Sequence, residues 1–220
     1  MHMQELPGGP TKCLLVQTKF SGFSFWNYQE VCDMVGAKYP ASSLGLMTVA
    51  ALLPQHWNFK LIDENVEPLL DDHLLWADLV CTGGMLPQQE SMLEFIRRVH
   101  NMDRIVVVGG PDPTSQPDLY HEADFLVLGE GEVTIPMFLA DLKRGATSGK
   151  YVSEVKANML EAVVPRYDLI RFSDYMMIGL QFIRGCPYDC EFCDIIELYG
   201  RIPRFKSNEQ VIRELQYLYD

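Results

Sequence analysis

Three cysteines within eight residues, Cys186, Cys190 and Cys193 in the stretch RGCPYDCEFCD, form a C-x-x-x-C-x-x-C array. Thiolates are ligands for soft and borderline metals, and spacings this short let three sulfurs converge from one loop. Structural zinc is the first alternative. It needs four closed ligands, usually from two knuckles or from a knuckle and a histidine pair. There is no second knuckle here, and His2, His56, His73, His100 and His121 all lie far upstream and unpaired. An iron-sulfur cluster held by three protein thiolates leaves one iron open to a substrate or cofactor, which a carrier with four cysteine ligands cannot offer. Within the loop, Tyr188, Asp189 and Asp194 read as surface residues, not ligands.

The elements that must position this loop follow from the pattern upstream. Short apolar runs rich in Val, Leu and Ile (CLLVQTKF, NFKLIDEN, DLVCTGG, RIVVVGGP and DFLVLGEGE) alternate with helix-like segments (SSLGLMTVAALL, EPLLDDHLLWA, QQESMLEFIRRVH, a short PDLYHEA turn and VTIPMFLADLKRG). Runs of that composition suit strands covered on both faces, and the alternation predicts an α/β fold with a doubly wound parallel sheet, Rossmann-like in class. Three of the strands run into glycine: Gly83-Gly84, Gly109-Gly110-Pro111 and Gly129-Glu130-Gly131-Glu132. Ligands bind at the C-terminal edge of open parallel sheets, so Gly83, Gly84, Gly109, Gly110, Pro111, Gly129, Glu130 and Gly131 are the candidate cofactor-binding positions. For any single pair, the competing reading is a tight strand-to-helix turn. No G-x-G-x-x-G fingerprint stands at the first strand-to-helix turn, which disfavours a dinucleotide site.

The alternation is lost over residues 145–175, which read as a linker between a first domain at 11–144 and a second unit at 176–220. In that unit MMIGLQFIRG reads as a strand, the cysteine loop follows, and KSNEQVIRELQYLYD reads as a helix opened by a capping box of Ser207 and Gln210. Composition agrees with a folded protein: of 220 residues, 48% are hydrophobic and 22% charged, enough for a real core. A formal net charge of -12 argues against a nucleic-acid partner, since tracking phosphates needs clustered Lys and Arg. No basic leader and no apolar run of about 18 to 20 residues is present, so the expectation is a cytoplasmic protein without a transmembrane segment, to which a lipid substrate would add a peripheral membrane contact. Cys13 and Cys81 lie in apolar strand-like runs and are expected as buried free thiols, and Cys32 has no partner pattern.

With an aromatic, Phe192, just before its third cysteine, the array resembles the radical S-adenosylmethionine superfamily. That resemblance implies that Cys186, Cys190 and Cys193 ligate a 4Fe-4S cluster. It further implies that the open iron binds S-adenosylmethionine to generate a 5'-deoxyadenosyl radical, with an external electron donor such as flavodoxin or ferredoxin. Phe192 would then pack near the adenine; otherwise it is an ordinary core aromatic. The upstream segments KYPASSLGLMTVAALLP, ADLVCTGGM, VVVGGPDPT and ADFLVLGEGEVT are similar to the cobalamin-binding domain of cobalamin-dependent members, and most resemble the branch containing hopanoid C-2 and C-3 methylases. The resemblance implies cobalamin as a further cofactor, and methyl transfer to an unactivated carbon of a small-molecule or lipid substrate.

Three departures from the family pattern bear on these expectations. Members that supply a lower axial histidine carry D-x-H-x-x-G after the first strand, where this chain reads TKFSGFSFWN, so any bound cobalamin is expected to lack such a ligand. Asp112 stands where relatives often carry histidine and reads as a turn residue capping the next segment. A barrel of TIM type takes about 200 residues or more, so only its first strand-helix unit is expected before Asp220, and the chain alone would lack the substrate wall. Two other functions fit the same features: a non-catalytic cobalamin and iron-sulfur module working with a partner, and a radical cyclase or rearrangement enzyme.

Overall fold

The computed structural model describes residues 11–22 and 27–220; part of TKFSGFSFWN therefore lies outside the described residues. Six strands form one parallel sheet in the order β3-β1-β4-β5-β6-β7: β1 (Lys12–Gln17), β3 (Asn58–Asp63), β4 (Leu79–Gly83), β5 (Ile105–Gly109), β6 (Phe125–Val127) and β7 (Gly149–Tyr151). The connecting helices are α2 (Leu44–Leu52), α3 (Asp71–Trp76), α4 (Gln89–Asn101), α5 (Pro111–Ser115) and α6 (Gly131–Lys143). They give the doubly wound α/β architecture that the alternation predicts.

Side chains alternate across the pleat, and this divides the core in two. Cys13, Leu15, Leu79, Cys81, Val107, Phe125 and Val127 face the layer with α2 and α6, where Met47, Ala50, Ile135 and Phe138 pack. Leu14, Val16, Val80, Val106, Val108 and Leu126 face Met92, Phe95, Ile96 and Val99 of α4, which recur at i, i+3, i+4 and i+7. The thiols of Cys13 and Cys81 are buried, free and 3.7 Å apart.

The segment expected as a linker, 145–175, instead supplies the sixth strand. β7 is only three residues, GKY, too short and too polar to stand out as a strand by pattern. Its Tyr151 packs with Phe125 and Phe138 at ring-centroid distances of 6.5 and 5.9 Å. Further along, Tyr167 is wholly buried and donates to the Gly179 carbonyl at 3.1 Å, so the segment is held along its length. Two elements absent from the sequence reading precede α2: helix α1 (Gln29–Val35) and strand β2 (Tyr39–Ala41), which pairs in parallel with β8 (Tyr175–Met177).

The second unit is shorter in strand than expected. The run MMIGLQFIRG yields β8 and the two-residue β9 (Ile183–Arg184), which pairs antiparallel with β10 (Arg204–Phe205). Helix α7 (Ile195–Tyr199) follows the cysteines, and α8 (Asn208–Tyr219) opens with both reciprocal bonds of the capping box, Gln210 N to Ser207 Oγ at 3.2 Å and Ser207 N to Gln210 Oε1 at 2.7 Å.

The strand-end glycines have a local cause. A Cβ on Gly83 would lie 2.6 Å from the Gly109 carbonyl oxygen, and one on Gly109 would lie 2.6 Å from that of Val127. The ends of β4, β5 and β6 thus converge only because these residues lack side chains. A Gly109→Ala substitution is expected to destabilise the chain by about 1–3 kcal/mol through overpacking, read as a lower urea midpoint at unchanged slope.

Candidate functional site

β1 is flanked by β3 and β4, so the direction of winding reverses between β1 and β4, and the crevice outside their C-terminal ends is where an open sheet of this kind takes its ligand. Thr18, just past β1, is wholly buried, and its hydroxyl oxygen has no hydrogen-bond partner among the described residues. Its carbonyl accepts from Gln88 Nε2 at 2.8 Å. A Cβ on Gly84 would run into the Gln88 carboxamide at 2.6 Å, so bare backbone at that position leaves room for Gln88. Asp63 closes β3 in a buried position, accepting from the backbone and side-chain amides of Asn65 at 2.9 and 2.7 Å and from the Tyr175 hydroxyl at 3.1 Å. Burial pushes its carboxyl above the usual range, and the Asn65 and Tyr175 bonds partly offset that.

Asp112 does more than cap a turn. It is buried, and its carboxylate accepts from Gln89 Nε2 at 3.0 Å, from Gln116 Nε2 at 3.0 Å and from the Tyr120 hydroxyl. Burial, and then that carboxylate, push the Tyr120 phenol far up. Asp112 thereby fixes α5 to α4. Gly110 beside it holds a φ of 96°, a left-handed value that favours glycine, and Pro111 starts α5.

The GEGE turn after β6 gathers two carboxylates and two guanidinium groups. Gly129 takes a φ of 78°, and a Cβ on Gly131 would meet the Ile135 side chain at 3.1 Å. Glu130, its side chain 1% exposed, is gripped by the Arg204 guanidinium at 2.8 and 3.0 Å and touched by Arg184 at 3.0 Å. Glu132 takes the other face of Arg184 through two bonds, of 2.8 and 2.7 Å. Burial alone would raise the Glu132 carboxyl, but the Arg184 bonds and charge outweigh it and hold the group below the ordinary range. Arg204 also donates to the carbonyls of Ala157 at 2.6 Å and Tyr199 at 2.9 Å, and Lys156 Nζ donates to that of Leu198 at 2.7 Å.

The cysteine loop springs from this network. Arg184 ends β9, and Gly185 follows with a φ of 86°. Cys186 N then donates to the Gly200 carbonyl at 3.1 Å, and Cys193 N to that of Cys190 at 3.1 Å. Asp189 pairs with Arg201 at 2.8 Å, both side chains well exposed. Cys190 is exposed, Cys186 and Cys193 are partly exposed, and all three are free. Phe192 is 93% exposed, which sets aside its reading as a core aromatic. Behind the loop, α7 lies against α5 at the C-terminal edge of the sheet.

A donor set of three accessible free thiols suits iron or another thiophilic metal. Among the described residues, no three His, Cys, Asp or Glu side chains are gathered closely enough to close a metal site, so binding would have to draw the loop inward, coupling ligation to local ordering. At the sheet edge, the Thr18 hydroxyl, unpartnered among the described residues, and Gly129, where a Cβ would meet nothing closer than 3.9 Å, fit a large polar cofactor. No described helix is long and apolar enough to cross a membrane.

Sequence reasoning missed Thr18, Asp63, Gln88, Arg184 and Arg204. One signal was available for the arginines: neither Glu130 nor Glu132 has a Lys or Arg within four residues, so two carboxylates at a strand end must find their counter-charge elsewhere.

Residues 32–139 match the family model described as the B12 binding domain. An uncharacterized methyltransferase of Synechocystis sp. is 45% identical over 199 residues, covering 90% of this chain and 37% of that protein. The hopanoid C-2 methylase of Rhodopseudomonas palustris is 35% identical, covering 94% of this chain and 40% of its own length. The hopanoid C-3 methylase of Methylococcus capsulatus is 28% identical over 110 residues, covering 42% and 21% respectively. The chain thus spans about two fifths of the first two of these relatives.

Proposed function

We propose, for a chain that carries a match to the B12 binding domain and resembles cobalamin-binding radical S-adenosylmethionine methylases, that it serves cobalamin-dependent methyl transfer to an unactivated carbon. The observation that carries this reading is spatial: three free thiols stand on a loop fastened to the same sheet edge at which a doubly wound domain takes its ligand. When bound, a 4Fe-4S cluster would generate a 5'-deoxyadenosyl radical from S-adenosylmethionine, and cobalamin would carry the methyl group.

The residues of the chain divide the remaining work. Cys186, Cys190 and Cys193 would each lose a proton on ligation, and Gly185, at a φ of 86° with the Ile202 carbonyl 2.5 Å from where a Cβ would stand, lets the loop leave β9 close against the backbone of Gly200 and Ile202. Gly129 leaves the end of β6 open to a corrin, and the Thr18 hydroxyl would offer it a hydrogen bond. Phe192 presents its ring at the loop surface, where an adenine could stack. A small-molecule or lipid substrate and an external electron donor such as flavodoxin or ferredoxin complete the proposal.

The test is anaerobic reconstitution with iron, sulfide and hydroxocobalamin, followed by visible spectroscopy and metal analysis. The expected result is a sulfur-to-iron charge-transfer absorption together with corrin that stays bound through gel filtration. Zinc in place of iron and inorganic sulfide would reject the cluster, and loss of corrin on filtration would reject the cobalamin site.

A further inference from the structure

We infer that Glu130 and Glu132, with Arg184 and Arg204, are positioning residues that moor the base of the cysteine loop to the sheet. The register of the small ladder carries the argument: in the antiparallel pair of β9 and β10, Arg184 stands directly opposite Arg204. Like charges facing each other across a ladder repel. Here the repulsion is cancelled by carboxylates of the sheet domain, since Glu130 bonds both guanidinium groups and Glu132 takes the outer edge of Arg184. The two-residue ladder that launches Cys186 therefore closes only against the GEGE turn. Burial sharpens the dependence: the side chains of Glu130, Glu132, Arg184 and Arg204 are 1%, 14%, 11% and 19% exposed, so water cannot substitute for a missing partner. The two glutamates act on the loop through the arginines, to which their side-chain bonds run.

The inference deepens the proposed role of the loop, but it is tested on protein free of iron and cobalamin. A failure to assemble a cluster therefore leaves this result standing, and the reverse also holds. The readout is amide hydrogen exchange at Cys186, whose N–H bonds Gly200, with the buried amides of Val106 to Val108 as the internal reference for the sheet. Glu132→Gln and Arg184→Gln are each expected to speed Cys186 exchange by roughly tenfold or more without changing the β5 amides. The double variant is expected to be no faster than either single one, because both remove the same contact. Arg184→Lys keeps the charge and loses the fork, so it falls between wild type and Arg184→Gln and remains informative if the glutamine variants fold poorly. Cys186 exchange that does not respond, or β5 amides that accelerate in step with Cys186, would overturn the assignment.

Discussion

A Cys186→Ala, Cys190→Ala, Cys193→Ala triple variant is expected to bind no iron or inorganic sulfide under conditions in which the wild-type chain binds both. The effect is all-or-none because three thiolates are the minimum protein set for a cluster with an open iron, and no group of described side chains stands ready to replace them. The fold should survive: the three positions are exposed or partly exposed, so their removal opens no cavity, and far-ultraviolet circular dichroism and the urea midpoint should stay at wild-type values. Cys13, Cys32 and Cys81 provide the control. All three are buried away from the loop, and replacing each by serine is expected to leave iron uptake intact while lowering stability. Iron and sulfide retained by the triple variant would remove the cluster from this loop.

Glu130→Gln is expected to cost about 3–5 kcal/mol, the penalty for leaving a buried ion pair without one of its charges. Both arginines lose a partner at once, because Glu130 is bonded to each of them. Neutralising Asp189, whose pair with Arg201 is open to water, should change stability by about 0–1 kcal/mol. Urea unfolding of the two variants side by side distinguishes a buried network from a surface decoration, and equal losses would refute the distinction. Acid strains the same contacts. Since the Glu132 carboxyl is held below its ordinary range in the fold, its contribution is complete above that range and is lost as pH falls through the lowered value.

How much of this was legible in the sequence depends on which interaction set each element. The five apolar strands are read correctly because a strand covered on both faces needs an unbroken apolar run, and Leu14-Leu15 and Val106-Val107 lie in such runs. The start of α8 is read from Ser207 and Gln210 because a capping box is a purely local bargain between two residues. β7 is invisible because GKY has no apolar periodicity; its strand character comes from β6 beside it. β2 is invisible for the same reason, its partner lying far along the chain. The cysteines announce themselves by spacing. The arginines that hold them do not, because an ion pair between residues 52 to 74 positions apart leaves no mark on local pattern.

The pairing of β2 with β8 imposes an order on biosynthesis. The Tyr175 hydroxyl reaches Asp63, 112 residues earlier in the chain, and the ring closes over Phe20 and Tyr39 in a small aromatic cluster. At about 5–20 residues per second, a ribosome needs on the order of ten seconds to travel from one partner to the other. During that interval the nascent chain carries a bare strand edge and an uncovered aromatic pocket, which makes this the stage at which a chaperone has most to protect.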